Sequence, residues 1–226
     1  MDSKAVNLAI RAEVRPLLTS AGFGRATART FWRYQPDRVD VVNFQSFNSY
    51  NAGVLDVTTY SYALNLGCFL LYVPNQYPNA RGADRLAGDK PQPKEYECQM
   101  RGRLRRSYTD RACSDRQIWY IDSRGSNLDK ALHDTRMALN RDGLPWFEQF
   151  SSPRAVYDIL ATAEEDMGKL WGFGRPGSPI RTYFLGYAAR AAGFHEAAAT
   201  NLTHAASTKS FEQIRGRILS DARRAV

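Results

Sequence analysis

The sequence predicts an α+β fold: an antiparallel β-sheet of about five strands flanked by helices, then an all-helical C-terminal extension. Three observations predict it. Residues 30–66 alternate in period two and are joined by short turn-rich links, which reads as an antiparallel meander. Apolar stripes of helical period stand before and after that region, at 3–21 and 128–139. Beyond residue 151 only the helical period remains.

The elements follow in order. Ser3 is a plausible N-cap, and Val6, Ala9, Ile10, Val14, Leu17 and Ala21 form one face of a first helix. Pro16 kinks it and Gly22 stops it. Thr30–Tyr34, Arg38–Phe47 and Val54–Leu66 are the first three strands. Tyr72–Lys94, with Pro74, Pro78, Pro91 and Pro93, reads as a long loop. Glu95–Leu104 and Gln117–Asp122 are the fourth and fifth strands, separated by a charged loop. Ser126–Asp129 resembles a capping box ahead of a helix marked by Leu128, Leu132 and Leu139. Gly143-Leu144-Pro145 ends that helix, and Trp146, Phe147 and Phe150 lock the first domain, residues 1–150.

The extension, residues 151–226, opens with Ser152-Pro153 and a stripe of Val156, Ile159, Leu160, Ala163, Met167 and Leu170. Gly172–Pro179 is a linker. Tyr183–Ala206 resembles one tetratricopeptide-type helical hairpin, and a last helix carries Phe211, Ile214, Ile218 and Ala222. One such hairpin cannot stack into a solenoid, so it packs on its neighbours.

Composition excludes more than it selects. The 226 residues are 43% hydrophobic and 24% charged, the profile of a globular protein. The net charge of +8 splits into +5 over residues 1–150 and +3 over the rest, so no basic tail exists. No apolar run approaches the ~20 residues of a membrane span, and the N-terminus lacks the apolar core of a secretion signal. Cys68, Cys98 and Cys113 are widely spaced free thiols in this reading, and a cytoplasmic location is expected. His133, His195 and His204 make no metal spacing, and no nucleophile elbow or phosphate loop is present. No catalytic residue, metal or cofactor is therefore assigned.

Strand alternation supplies a candidate surface. Val42 and Phe44 share one face, while Asn43 and Gln45 share the other. With registers aligned, the second face gathers Asn43, Gln45, Asn65, Glu97, Gln99, Arg101 and Arg103, and Trp119 joins the candidates as an aromatic near the Arg101–Arg116 stretch. Such a face is either a recognition surface anchored by Arg or an ordinary wet sheet face whose groups satisfy one another. The stretch from Arg101 to Arg116 carries six Arg against Asp110 and Asp115, with Tyr108 close by. Arg with aromatics suits phosphates and bases, yet a solvated charged loop has the same composition.

A family resemblance enters here. Gly22-Phe23, Phe31-Trp32-Arg33, Val42-Asn43-Phe44-Gln45 and Leu64-Asn65-Leu66-Gly67 carry it, with Glu97–Leu104, Trp119 and Gly143–Glu148. In order and spacing these resemble the bacterial domain-of-unknown-function family 4304, over about two thirds of the chain. The resemblance implies a small bacterial cytoplasmic α+β domain and brings no activity or catalytic residue. The expected function is a non-catalytic interaction protein whose partner is another protein, in an immunity or defence setting suggested only by the family type. Nucleic-acid binding through residues 101–116 is the first alternative. An enzyme using Cys98 or the Glu97/Arg101 pair is the second.

Overall fold

Asp2, not Ser3, caps the first helix: its carboxylate accepts the Ala5 N–H at 2.8 Å. The computed structural model describes residues 1–76, 82–162 and 173–225. Pro78, Ala163, Met167, Leu170 and Gly172 lie outside them. Pro16 splits the stripe into α1 (Ser3–Glu13) and α2 (Arg15–Ser20), whose Val6, Ile10 and Leu18 are buried. Phe23 follows Gly22, which takes φ +90°.

The sheet is wholly antiparallel. Its strands are β1 (Arg25–Ala26), β2 (Thr30–Tyr34), β3 (Arg38–Ser46), β4 (Tyr62–Leu70), β5 (Met100–Arg103) and β6 (Ile118–Trp119). The order is β1-β2-β3-β4-β5, and β6 pairs β4 just beyond β5. β2 and β3 stand where alternation puts them.

β4 corrects the third expected strand. It begins eight residues later, because Asn48 accepts the Asn51 N–H at 2.8 Å and starts a short helix, α3 (Ser49–Val54). β4 is buried along its whole length, so period two is not visible in its composition. The fourth expected strand is also shorter, since Glu95–Glu97 forms a 3₁₀ turn before β5. The fifth shrinks to two residues.

α4 (Leu128–Ala138) continues through a π-turn, Leu139–Gly143, into α5 (Leu144–Glu148). Pro145 therefore sits in the first turn of a helix instead of ending one. The proposed capping box does not form, because Ser126 bonds Asp122 instead.

One face of the sheet carries Phe31, Val42, Phe44, Tyr62, Leu64, Leu66, Met100 and Trp119 into the main core. Val6 and Ile10 of α1, Leu132 of α4 and Phe147 of α5 belong to the same core. Phe23 and Phe147 meet at 5.7 Å, and Trp146 meets Phe150 at 4.8 Å. Asp40 lies within this layer, fully buried, and receives Arg33 Nε at 2.8 Å and Arg38 Nε at 3.0 Å.

The extension is helical: α6 (Pro153–Thr162), α7 (Pro179–Ala191), α8 (His195–Ser207) and α9 (Arg215–Arg223), with a 3₁₀ segment at Lys209–Ile214. Its core is continuous with the first through Val156, Leu160, Tyr183 and Tyr187. α7 is the central helix, buried nearly all round. Its Gly186 lets α8 approach closely, since a Cβ there would stand 2.8 Å from the Leu202 side chain. The α7–α8 pair is the expected helical hairpin. Among the described residues no helix is long and apolar enough to cross a membrane.

Candidate functional site

The second face of the sheet is built in rows, because antiparallel register sets side chains of neighbouring strands side by side. Trp32, Val41, Gly67 and Arg101 form one row across β2, β3, β4 and β5. Thr30, Asn43, Asn65 and Arg103 form the next. Gln45, Ala63 and Ile118 form the third.

The first outer row is roofed, and so are Ala63 and Ile118 of the third, whose Gln45 is exposed. Over the first, Cys98 closes an apolar cluster with Trp32, Val39, Val41 and Phe69. Trp32 Nε1 donates to Pro93 O at 2.8 Å, which pins the proline-rich loop there. At the third row, Ala63 and Ile118 pack with Phe47, Ala52 and Cys113. The middle row stays polar between the two. With strands ~4.8 Å apart it runs about 14 Å from β2 to β5.

The row is held in one arrangement. Asn43 Nδ2 donates to Thr30 Oγ1 at 2.9 Å. Arg103 Nε donates to Asn65 Oδ1 at 2.7 Å, and its Nη2 donates to Gln45 Oε1 at 3.1 Å. Asn65 Nδ2 reaches the same Gln45 oxygen at 2.8 Å. Burial lowers the Arg103 pKa from its ordinary value, although Glu95 and Asp115 pull the other way. Arg101 Nε donates to Glu95 Oε1 at 2.7 Å. At the β2 end a cleft of about 400 Å³ opens, lined by Thr27, Thr30, Trp32, Asn43, Glu95 and Tyr96 among others.

Asn43, Gln45, Asn65, Arg101 and Arg103 therefore share the predicted face, and three further residues do not. Glu97 lies on the 3₁₀ turn, where period three replaces period two. Its carboxylate takes both Arg85 nitrogens, at 2.9 and 3.1 Å. Gln99 is buried, and its carbonyl accepts the Leu70 N–H at 2.8 Å. Trp119 is on the opposite face, stacked on Tyr62 with centroids 5.9 Å apart, and its Nε1 donates to Asp134 at 3.0 Å. Thr30, Trp32 and Glu95 were missed. Extending the alternation of β3 back to Thr-Phe-Trp finds the first two. No local pattern finds Glu95, because the fold of the loop brings it over the sheet.

Gly67 sets the height of that roof. A Cβ at this position would stand 2.6 Å from Cys98 Sγ and 3.4 Å from Glu95 Cα. Gly67→Ala is expected to push the turn outward and cost about 1–3 kcal/mol. Thermal unfolding measures the loss, and faster exchange of the Trp32 indole N–H locates it. Adding Cys98→Ala removes the sulfur and is expected to restore part of the stability; strict additivity of the two changes contradicts the contact.

The remaining chemistry is structural. Burial pushes the Cys68 and Cys98 thiols well above their ordinary pKa and raises Cys113 as well, so none is poised as a thiolate nucleophile. No group of His, Cys, Asp and Glu arranged for a metal occurs among the described residues. The Arg-rich stretch is largely committed to the fold. Arg106 is fully buried and donates to backbone carbonyls, and Arg116 bonds the Arg106 and Ser107 carbonyls. Arg105 and Arg111 point to solvent.

No curated protein and no solved structure matches the chain. A family model does match, over residues 14–149, a span that contains all six strands and the whole polar row and stops short of α6. Covering more than half of the sequence, that match shows that the chain belongs to the family of the domain of unknown function DUF4304.

Proposed function

We propose that the protein is a non-catalytic interaction module that receives a segment of a partner protein along the polar row of its sheet. The observation that carries this reading is the cross-strand alignment of Thr30, Asn43, Asn65 and Arg103 between a roofed row and one covered at Ala63 and Ile118. Amides present both donor and acceptor, and a guanidinium adds charge-assisted donors, which is the chemistry that pairs with a polypeptide's carbonyls and carboxylates. Internal bonds hold these groups in place before a partner arrives, so less side-chain entropy is lost on binding. The alternative of nucleic-acid binding is less well supported, because three of the six arginines of residues 101–116 hold backbone or acidic groups and Arg103 bonds the Asn65 and Gln45 amides. The enzymatic reading calls on Cys98 or a Glu97/Arg101 pair; burial raises the Cys98 thiol pKa, while Glu97 takes Arg85 and Arg101 donates to Glu95, which argues against both.

The test is recovery of partner proteins from the native host by the purified protein and by an Asn43→Ala, Arg103→Ala variant. The wild type should retain a defined protein that the variant loses, with melting temperature changed by only a few degrees. Equal recovery by a folded variant removes the polar row from the interaction.

A further inference from the structure

A second cavity, of about 420 Å³, lies between the end of β4, the 94–97 turn and α7. Phe69, Leu86 and Phe184 give it apolar walls, and Lys94, Gln99 and Arg101 add polar groups. The volume is that of a small-molecule site, and the lining divides about equally between apolar and polar side chains, so it can take a ligand that has both kinds of surface.

The balance of donors and acceptors selects the ligand. Glu97, on the wall, has its two oxygens engaged by Arg85 and by the Lys94 N–H at 2.7 Å. Glu95 binds Arg101. Gln99 spends its carbonyl on Leu70 N, which leaves its NH₂ as the group a ligand can use. The Lys94 ammonium sits 5.5 Å from the Tyr96 ring centroid, and among the described residues it forms no salt bridge. The wall thus offers hydrogen-bond donors and a cation, while Glu97, the carboxylate on it among the described residues, is already occupied.

We infer that this cavity binds a small organic carboxylate with an apolar body. The carboxylate meets Lys94 and the Gln99 amide, and the apolar body lies against Phe69 and Phe184. Phe184 comes from α7, and the neighbouring Tyr183 donates its hydroxyl to Pro74 O at 2.9 Å. The helical extension therefore completes a site that residues 14–149 do not form alone. The cavity shares Arg85, Lys94 and Tyr96 with the cleft at the β2 end of the polar row but none of Thr30, Asn43, Asn65 and Arg103, so a variant of the row and a variant of the cavity test the two readings independently.

The experiment is a titration of the full chain, by ligand- and protein-observed NMR, with 4-phenylbutyrate and with its uncharged amide. The carboxylate should bind saturably in the millimolar range or tighter, about tenfold better than the amide. Contacts should appear between the phenyl ring and the Phe69 and Phe184 side chains. Lys94→Met, at an exposed position, should weaken the carboxylate about fivefold and leave the amide unchanged. Equal affinity for acid and amide, no saturation, phenyl contacts elsewhere, or an unaltered affinity in Lys94→Met would each overturn the assignment.

Discussion

Asp40→Ala is expected to lower the unfolding free energy by about 3–5 kcal/mol, enough to unfold much of the population in a marginally stable protein. Asp40 is fully buried between two guanidiniums, with Arg33 at 2.8 Å and Arg38 at 3.0 Å. Burial raises its carboxyl pKa, and the two arginines offset that only in part. The cluster is thus costly to assemble, yet removing its centre costs more, because two largely buried cations lose their shared anion. Both cations also join elements. Arg38 Nη1 donates to Phe150 O at 2.8 Å, and Arg33 sits 5.2 Å from the Phe23 ring and 5.4 Å from the Phe147 ring. Denaturant unfolding measures the loss. A control replaces Asp40, Arg33 and Arg38 together with apolar residues of similar size, and it should recover much of the stability. A single Asp40→Ala variant within about 0.5 kcal/mol of wild type contradicts the account.

Arg106→Met is the second large effect, expected at about 3 kcal/mol. Among the described residues the Arg106 guanidinium makes no ion pair with a carboxylate; backbone carbonyls hold it instead. It donates to Ile118 O at 2.9 Å, Tyr108 O at 3.1 Å and Asp115 O at 3.3 Å, and also to Cys113 O. Methionine fills much of the space and satisfies none of these carbonyls, so at least two buried acceptors lose their donor at about 1–3 kcal/mol each. The 105–117 segment should become the first site of proteolytic cleavage. Arg105→Met and Arg111→Met, both at exposed positions, should stay within about 0.5 kcal/mol of wild type. Equal effects at all three positions contradict a structural role particular to Arg106.

These two residues show what sequence reading resolves and what it does not. β2 and β3 were legible because one face meets the core and the other meets a different environment, so alternation survives. β4 is covered on both faces, and its start was hidden because the Asn48 cap turns the preceding stretch into helix. Arg106 looks like one more cation in an Arg-rich run; only the closed loop reveals four carbonyls converging on it.

The candidate face divides in the same way. Asn43, Gln45, Asn65, Arg101 and Arg103 came from strand alternation and lie together, because period two is a property of the strand itself. Glu97 and Gln99 were assigned by extending that period into a segment that is not strand. Trp119 was included for its nearness in sequence to the Arg101–Arg116 stretch, and its indole faces the core. The roof over the first row depends on Gly67 meeting Cys98 across thirty residues of chain, which no local pattern encodes.

The central claim is that the polar row contacts a partner protein, and site-specific photo-crosslinking in the native host tests it most directly. A photoreactive residue in place of Gln45, exposed beside the row, is compared with one in place of Met137, exposed on α4 away from that face. A discrete crosslinked protein from position 45 that is missing from position 137, and that disappears with Asn43→Ala plus Arg103→Ala, is the predicted result. The same crosslinks from both positions, or crosslinks that persist in the folded double variant, would contradict it.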